Sequence, residues 1–341
     1  MREIRMRIVP SIAGAGILTG ALLFSGCSSA GSAGSPASLP QAGAQTRSAS
    51  AIAYSNGIDK RYAGELGSIQ NRVSPDKAKV DKDVFVSDGL SSVFLFANKT
   101  YKPAGSITGL DVPDGITVDK AGNLYVANVN GKNVTEYAPG SSSPSCTYDA
   151  GMVDPINVAV DAKGDVFVSD FNDLNAPGYV DEFKQCADKI VQQYSITKGP
   201  EGIAIDSKGD IFVSFFNPSF NGGFIEFPKG KTKGVDLSVT VGSPAGLAID
   251  KKGNLLADDQ EGSIDVIAPP YTTATPLVSG LQDPFHVALS KNGKLLFNAN
   301  AGDPSTATIY SYPAGKLLDT IGSSNGLDGA EGIVDSPNAV Y

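Results

Sequence analysis

The chain has 341 residues, a net charge of −9, 41% apolar residues, one histidine, three cysteines and no tryptophan. That is enough apolar material for one packed domain of moderate size. An acidic chain without runs of Lys or Arg is a poor nucleic-acid binder, no C-x-x-C or His-rich spacing suggests zinc, no Ser/His/Asp constellation can be proposed beyond the one histidine, and the lack of tryptophan argues against WD-type or kelch-type repeats.

The chain opens as a targeting segment. Arg2, Arg5 and Arg7 form a positive start, and the apolar run Ile8 to Phe24 is broken by Pro10 and several Gly. It ends Leu23-Phe24-Ser25-Gly26-Cys27, which resembles the bacterial lipobox, with Phe24 where Leu is usual. The resemblance implies cleavage after residue 26, lipidation of Cys27 and an extracytoplasmic protein anchored in the cell envelope, in the outer membrane where two membranes exist. Loss of residues 1–26, with three Arg and one Glu, takes the net charge from −9 to −11. Residues 28–53 are Ser, Ala, Gly and Pro with almost no charge, too poor in apolar surface to order themselves. We read 27–74 as a lipidated tether and 75–341 as the folded domain.

From Pro113 the sequence repeats. PDGITVDKAGNLYVANVNGKNVTEYAPG holds two alternating runs joined by a tight Asp119–Asn123 turn, then a third run stopped by Pro139-Gly140. INVAVDAKGDVFVSD, EGIAIDSKGDIFVSF, AGLAIDKKGNLLADD and FHVALSKNGKLLFNA repeat it, and the turn residues Asp119, Asp161, Asp206, Asp250 and Ser290 step by 42, 45, 44 and 40 residues. Four short strands at that period predict an all-β, six-bladed β-propeller of four-stranded antiparallel blades. A partial copy, DVFVSDGLSSVFLFANK from Asp83, lacks a first strand. Ala78 to Val80 or the tail Ser336 to Tyr341 is expected to supply it; the tail would close the ring and leave no open sheet edge.

The pattern P-x-G-I-A-[VI]-D-x-x-G-[ND]-[LI]-[YF]-V-[AS]-[ND] resembles NHL-type and YVTN-type propeller repeats, and is similar to the six-bladed gluconolactonase (senescence-marker) and virginiamycin B lyase-like proteins. It covers residues 75–341 and speaks for architecture more than activity. In the gluconolactonase-like proteins a Glu, Asn and Asp set holds a cation. In the lyase-like pattern a His precedes the Gly-Ile-Thr strand, whereas here Phe285 holds that place and His286 falls one residue later.

Two ring positions carry the site expectation. Second strands end at Asp88, Asn128, Asp170, Phe215, Asp259 and Ala299; first strands open at Asp114, Ile156, Glu201, Ala245, Phe285 and Asn338. In a propeller both sets surround one mouth of the channel, so Asp88, Asp114, Asn128, Asp170, Glu201 and Asp259 are the candidate ligand or metal residues. Five carboxylates and an amide suit Ca2+ or a cationic ligand; the alternative is turn chemistry with solvated side chains. The repeated Asp119, Asp161, Asp206 and Asp250 are expected to be structural turn acids.

Cys146 and Cys186 fall in consecutive blades. A disulfide or two separate thiols both fit, and the divergence of blades at their rims favours thiols. The sequence has no nucleophile elbow, P-loop or dinucleotide fingerprint. The longer loops Phe171–Gly178 and Phe216–Gly223 would rise beside the same mouth. The reading is an envelope-anchored monomer that binds a small ligand or envelope component, attached to the membrane through its lipid only. The alternative is a Ca2+-dependent hydrolase of lactonase type, and a weaker one is a lyase.

Overall fold

The computed structural model describes residues 83–172, 176–216, 222–327 and 329–337. The lipobox, Cys27, the tether, the segment 75–82 and the last four residues lie outside them. The described residues form six four-stranded antiparallel sheets, and their only helical turn is the 3-10 segment Ser323–Asn325.

Each blade starts at the axis. The first strands are Pro113–Val118, Pro155–Val160, Gly199–Ile205, Pro244–Ile249 and Pro284–Leu289 for blades 2 to 6, with Gly332–Asp335 for blade 1. Each touches the next, and the last touches the first, so the ring is closed. Every first strand runs from one face of the disc, here the start face, to the other, the hairpin face. There the turn acid reverses the chain: Asp119 Oδ1 accepts the N–H groups of Ala121 and Asn123, and Asp161, Asp206 and Asp250 repeat the pattern. In blade 6 Ser290 Oγ does the same for Lys294 and Leu295. A Gly with positive φ follows each acid, at Gly122, Gly164, Gly209 and Gly253, where other residues would be strained. These turns therefore fit the structural role expected of the repeated acids.

The core lies between blades. Tyr125, Val134 and Tyr148 of blade 2 pack with Val158, Val168 and Phe183 of blade 3. The largest cluster joins Phe297 and Ile309 of blade 6, Val84 and Phe85 of blade 1, and Ile116 and Val126 of blade 2 across the seam.

The seam differs from expectation. Blade 1 is completed by Gly332–Asp335, paired with Asp83–Ser87 through Val84↔Asp335 and Ser87↔Gly332, not by Ala78–Val80 or by the tail Ser336–Tyr341. EGIVDS, 331–336, is itself a first-strand copy matching EGIAID, 201–206. Ile333 takes the core place of Ile203, and both are buried. Closure by N- and C-terminal segments holds, with the strand a few residues earlier.

Cys146 and Cys186 form a disulfide, with Cα atoms 5.3 Å apart and 40 residues between them. The expectation of separate thiols fails because the connection between the third and fourth strands of blade 3 folds back against blade 2. Cys186 N–H donates to Tyr148 Oη, which donates to Glu136 at 2.8 Å. Closing a loop of that length removes unfolded-chain entropy worth about 4 kcal/mol.

Candidate functional site

The start face collects the predicted residues, but most of their oxygens are already engaged. Asp88 Oδ1 accepts the N–H groups of Leu90, Ser91 and Ser92. Asp170 accepts from Val153 and Asp154, and Asp259 from Gly242, Ser243 and Glu261. Asn128 Nδ2 donates to Asn133 and Thr135. All four are buried, and each fastens a loop beside its own blade. Burial raises the Asp88 and Asp170 carboxyls above the ordinary range, and the backbone donors partly offset this.

Two ring positions shift. Pro284 pairs with Asn300, not Ala299, because the blade 6 hairpin is one residue longer. Asn300 Nδ2 bonds Thr306 and Thr308 as Asn128 bonds Asn133 and Thr135. At the seam the first-strand position belongs to Glu331, whose N–H donates to the Ser87 carbonyl at 2.9 Å; Asn338 lies outside the described residues.

Asp114 and Glu201 behave differently from the loop clamps. They sit at equivalent places on the first strands of blades 2 and 4, both buried. Burial, and then the charge of Glu201, push Asp114 well above the carboxylate range; burial, and then Asp258, push up Glu201. Asp258 closes the group and is also raised by burial. Oδ2 of Asp114 and Oδ1 of Asp258 have no hydrogen-bond partner among the described residues.

Asp258 stands where blades 1, 3 and 4 carry Ser. Ser214 Oγ accepts the Gly202 N–H at 2.8 Å and donates to the carbonyl of Ala245 in the next blade. Ser87 and Ser169 make the same strut to Asp114 and Glu201. These struts draw the first strands so close that a Cβ on Gly202 would lie 2.3 Å from the Ala245 carbonyl oxygen.

Below this constriction the channel widens. A cavity of about 490 Å3 opens on the hairpin face, lined by Ile, Val and Leu of the first strands, with small residues at Thr117, Ala159, Ala204, Ala248 and Ala288. Asn157 and His286 form its inner end, and Lys120, Asp119, Lys291 and Asp335 reach its rim. His286 is buried and its pKa is lowered by burial to about 4, so the ring is neutral at pH 7; Nδ1 faces the Ile333 N–H at 3.4 Å.

Comparison with known proteins places this architecture. No protein-family model matches the chain. The human NHL-repeat-containing protein 4 is 31% identical over 104 residues, 29% of this chain and 83% of the human protein. The chain belongs to the NHL-repeat family. The NHL propeller also resembles solved structures at the level of fold. A chain of the nidogen–laminin complex superposes with a TM-score of 0.63 at 17% identity, covering 76% of this chain and 99% of that one. A protein of unknown function from Bacteroides caccae gives 0.60 at 12% identity, with 75% and 99% covered.

Sequence reasoning on this NHL propeller missed Asp258, Glu331 and the cavity. The signal for Asp258 was present: LLADD puts an acid where VFVSD and IFVSF have Ser. The cavity lies on the hairpin face, whereas the repeated acids point to the start face; Ala159, Ala248 and Ala288, in the fifth place of their first strands, mark the width of the channel. Of the loops 171–178 and 216–223, residues 173–175 and 217–221 lie outside the described residues.

Proposed function

We propose that this protein is an extracytoplasmic binding module, anchored to the cell envelope through Cys27, that takes a small apolar ligand into the channel cup on its hairpin face. The observation that carries the reading is the cup: a cavity of about 490 Å3, walled by aliphatic side chains. Ligand sites are of this size and are mostly apolar, with few polar groups. No acid–base pair accompanies it, since His286 is buried, neutral and one residue out of the lyase-like place. The Cys146–Cys186 disulfide supports an oxidising compartment, as the lipobox implies.

Nile red, an uncharged fluorescent probe, tests the cup. Saturable one-to-one binding that disappears in Ala248→Phe, at an unchanged melting temperature, supports it; binding that survives this block places the probe elsewhere and sinks the reading. The anchor is tested separately, because Cys27→Ala should move the protein from the membrane to the soluble fraction.

A second reading, a calcium-dependent hydrolase of lactonase type, draws on the unpartnered oxygens of Asp114 and Asp258 beside Glu201. Melting temperature followed through a calcium titration separates the two. No shift at millimolar Ca2+ removes the hydrolase.

A further inference from the structure

We propose that the ligand of the cup is a single-chain amphiphile: its acyl chain fills the channel and its anionic head, carboxylate or phosphate, rests on Lys291 and Lys120. This rests on the cup reading above and adds the chemistry of the ligand.

The charge of the chain is segregated by the fold. Among the described residues, every lysine except Lys132 and Lys198 lies in or beside a connection on the hairpin face. Each of the five hairpins between first and second strands carries one: Lys120, Lys163, Lys208, Lys251 with Lys252, and Lys291. The sequence shows no basic cluster because these residues are some forty positions apart. The acids of the same turns are committed to local bonds. Asp119 holds two backbone N–H groups and the Asn123 amide, and Asp250 does likewise and accepts Tyr312 Oη at 2.8 Å. Asp335, the other acid at the rim, is buried in the seam.

Lys120 and Lys291 border the cavity from the blades on either side of that seam. Neither forms an ion pair among the described residues, although both are exposed. A second cavity of about 610 Å3 runs outward between blades 5 and 6, sharing Ile249, Leu289 and Lys291 with the first and adding Lys251, Lys252 and Tyr312. The space is therefore an aliphatic tube that turns at Lys291 into a groove edged by lysines. The inner end brings no formal positive charge to an anion: Asn157 is a neutral amide, and burial keeps His286 uncharged at pH 7. An amphiphile entering tail first buries methylene groups, each favourable by about 0.8 kcal/mol, and leaves its head among unpaired ammonium groups.

Calorimetric titration of the full-length chain with laurate, dodecyl phosphate and dodecanol tests this. The expected result is one site for an anionic chain, with dodecanol binding more weakly. Lys120→Glu with Lys291→Glu should weaken the anions by about tenfold or more, the worth of a charge-assisted contact, and leave dodecanol unchanged. The ratio of laurate to dodecyl phosphate identifies the head. If dodecanol binds as tightly as both anions, or the double charge reversal leaves the anions unaffected, the inference falls while the cup stands. If none of the three binds, the cup falls with it. Thermal melts of the variant distinguish a lost contact from a lost fold.

Discussion

The two faces of the disc are built from the same repeat yet do opposite things with polar residues. On the start face, the acids of the ring positions are buried: Asp88, Asp170 and Asp259 clamp loops, while Asp114, Glu201 and Asp258 gather near the axis. On the hairpin face, the acids between first and second strands are spent on tight turns and most of the exposed charge is lysine. On one face serine struts and glycine contacts draw the first strands together, and the other opens into an aliphatic cup. Charge segregation of this kind arises from topology, since alternate turns of a meander fall on opposite faces. An overall charge of −9 therefore says nothing about the field that a ligand meets at either end.

The harshest way to break the comparison is to open the seam on which both faces depend. Ile333 is fully buried on the closing strand, against the largest core cluster. Ile333→Ala should cost about 2–5 kcal/mol, read as a fall in denaturation midpoint, and should abolish ligand uptake at temperatures where the wild type binds. A cost no larger than that of an exposed position, such as Leu317→Ala, would mean the ring is not held there.

Next in size is the pH response that the buried acids impose. Burial raises the carboxyls of Asp83 to about 6 and Asp181 to about 7, and those of Asp114, Glu201 and Asp258 as well. A raised carboxyl binds its proton more tightly in the native state than in the unfolded one, where it titrates near 4. Its stabilising contribution is complete below that value and is lost as pH climbs through the native pKa. His286 acts in the other direction: its native pKa is lowered to about 4, so its contribution fades only as pH drops below about 6.5. Between pH 8 and 6.5 the carboxyls dominate, and the melting temperature should rise as pH falls. Glu201→Gln should raise it at pH 8 and flatten the slope. Calorimetry at the two pH values decides, and a maximum at pH 8 in the wild type would contradict the buried-acid account.

How much of this was legible in the sequence follows from what repeats. Blade number, strand order and the turn acids recur at a fixed step, and a side chain doing the same local job in every copy leaves a visible period. The site does not recur. Asp258 replaces a serine once, Asn157 and His286 each stand where other first strands have Gly, and Lys291 matters because of where blade 6 meets blade 1. Departures from a repeat carry no period of their own, and their neighbours come from other blades. The closing strand hid for a related reason: EGIVDS is a full copy of the first-strand motif, but no turn acid and second strand follow it in the chain. The Cys146–Cys186 bond depended on how two rims lean together, which spacing alone does not contain.

A smaller effect sharpens the start face. Ser214→Ala removes a hydroxyl that joins the Gly202 N–H to the Ala245 carbonyl across two blades. Both groups are buried, so the expected cost is about 1–3 kcal/mol in chemical denaturation. Blades 2 and 6 have Ala127 and Ala299 at this place, so the ring tolerates missing struts. Ser214→Ala should therefore fold normally and leave the cup's affinity intact.

The smallest test belongs to the open face and asks whether its acids are purely structural. Asp206 accepts three backbone N–H groups, from Lys208, Gly209 and Asp210. A hydroxyl serves the matching place in blade 6, where Ser290 holds Lys294 and Leu295. A turn needing only an acceptor should take Ser with little loss, whereas Ala leaves the donors to water at about 1 kcal/mol. Asp206→Ser should thus recover most of the stability lost in Asp206→Ala. Both variants should bind anionic chains at least as well as the wild type, since each removes a negative charge from the lysine-bearing face. Loss of binding in the serine variant, with the fold intact, would move Asp206 from the turn into the site.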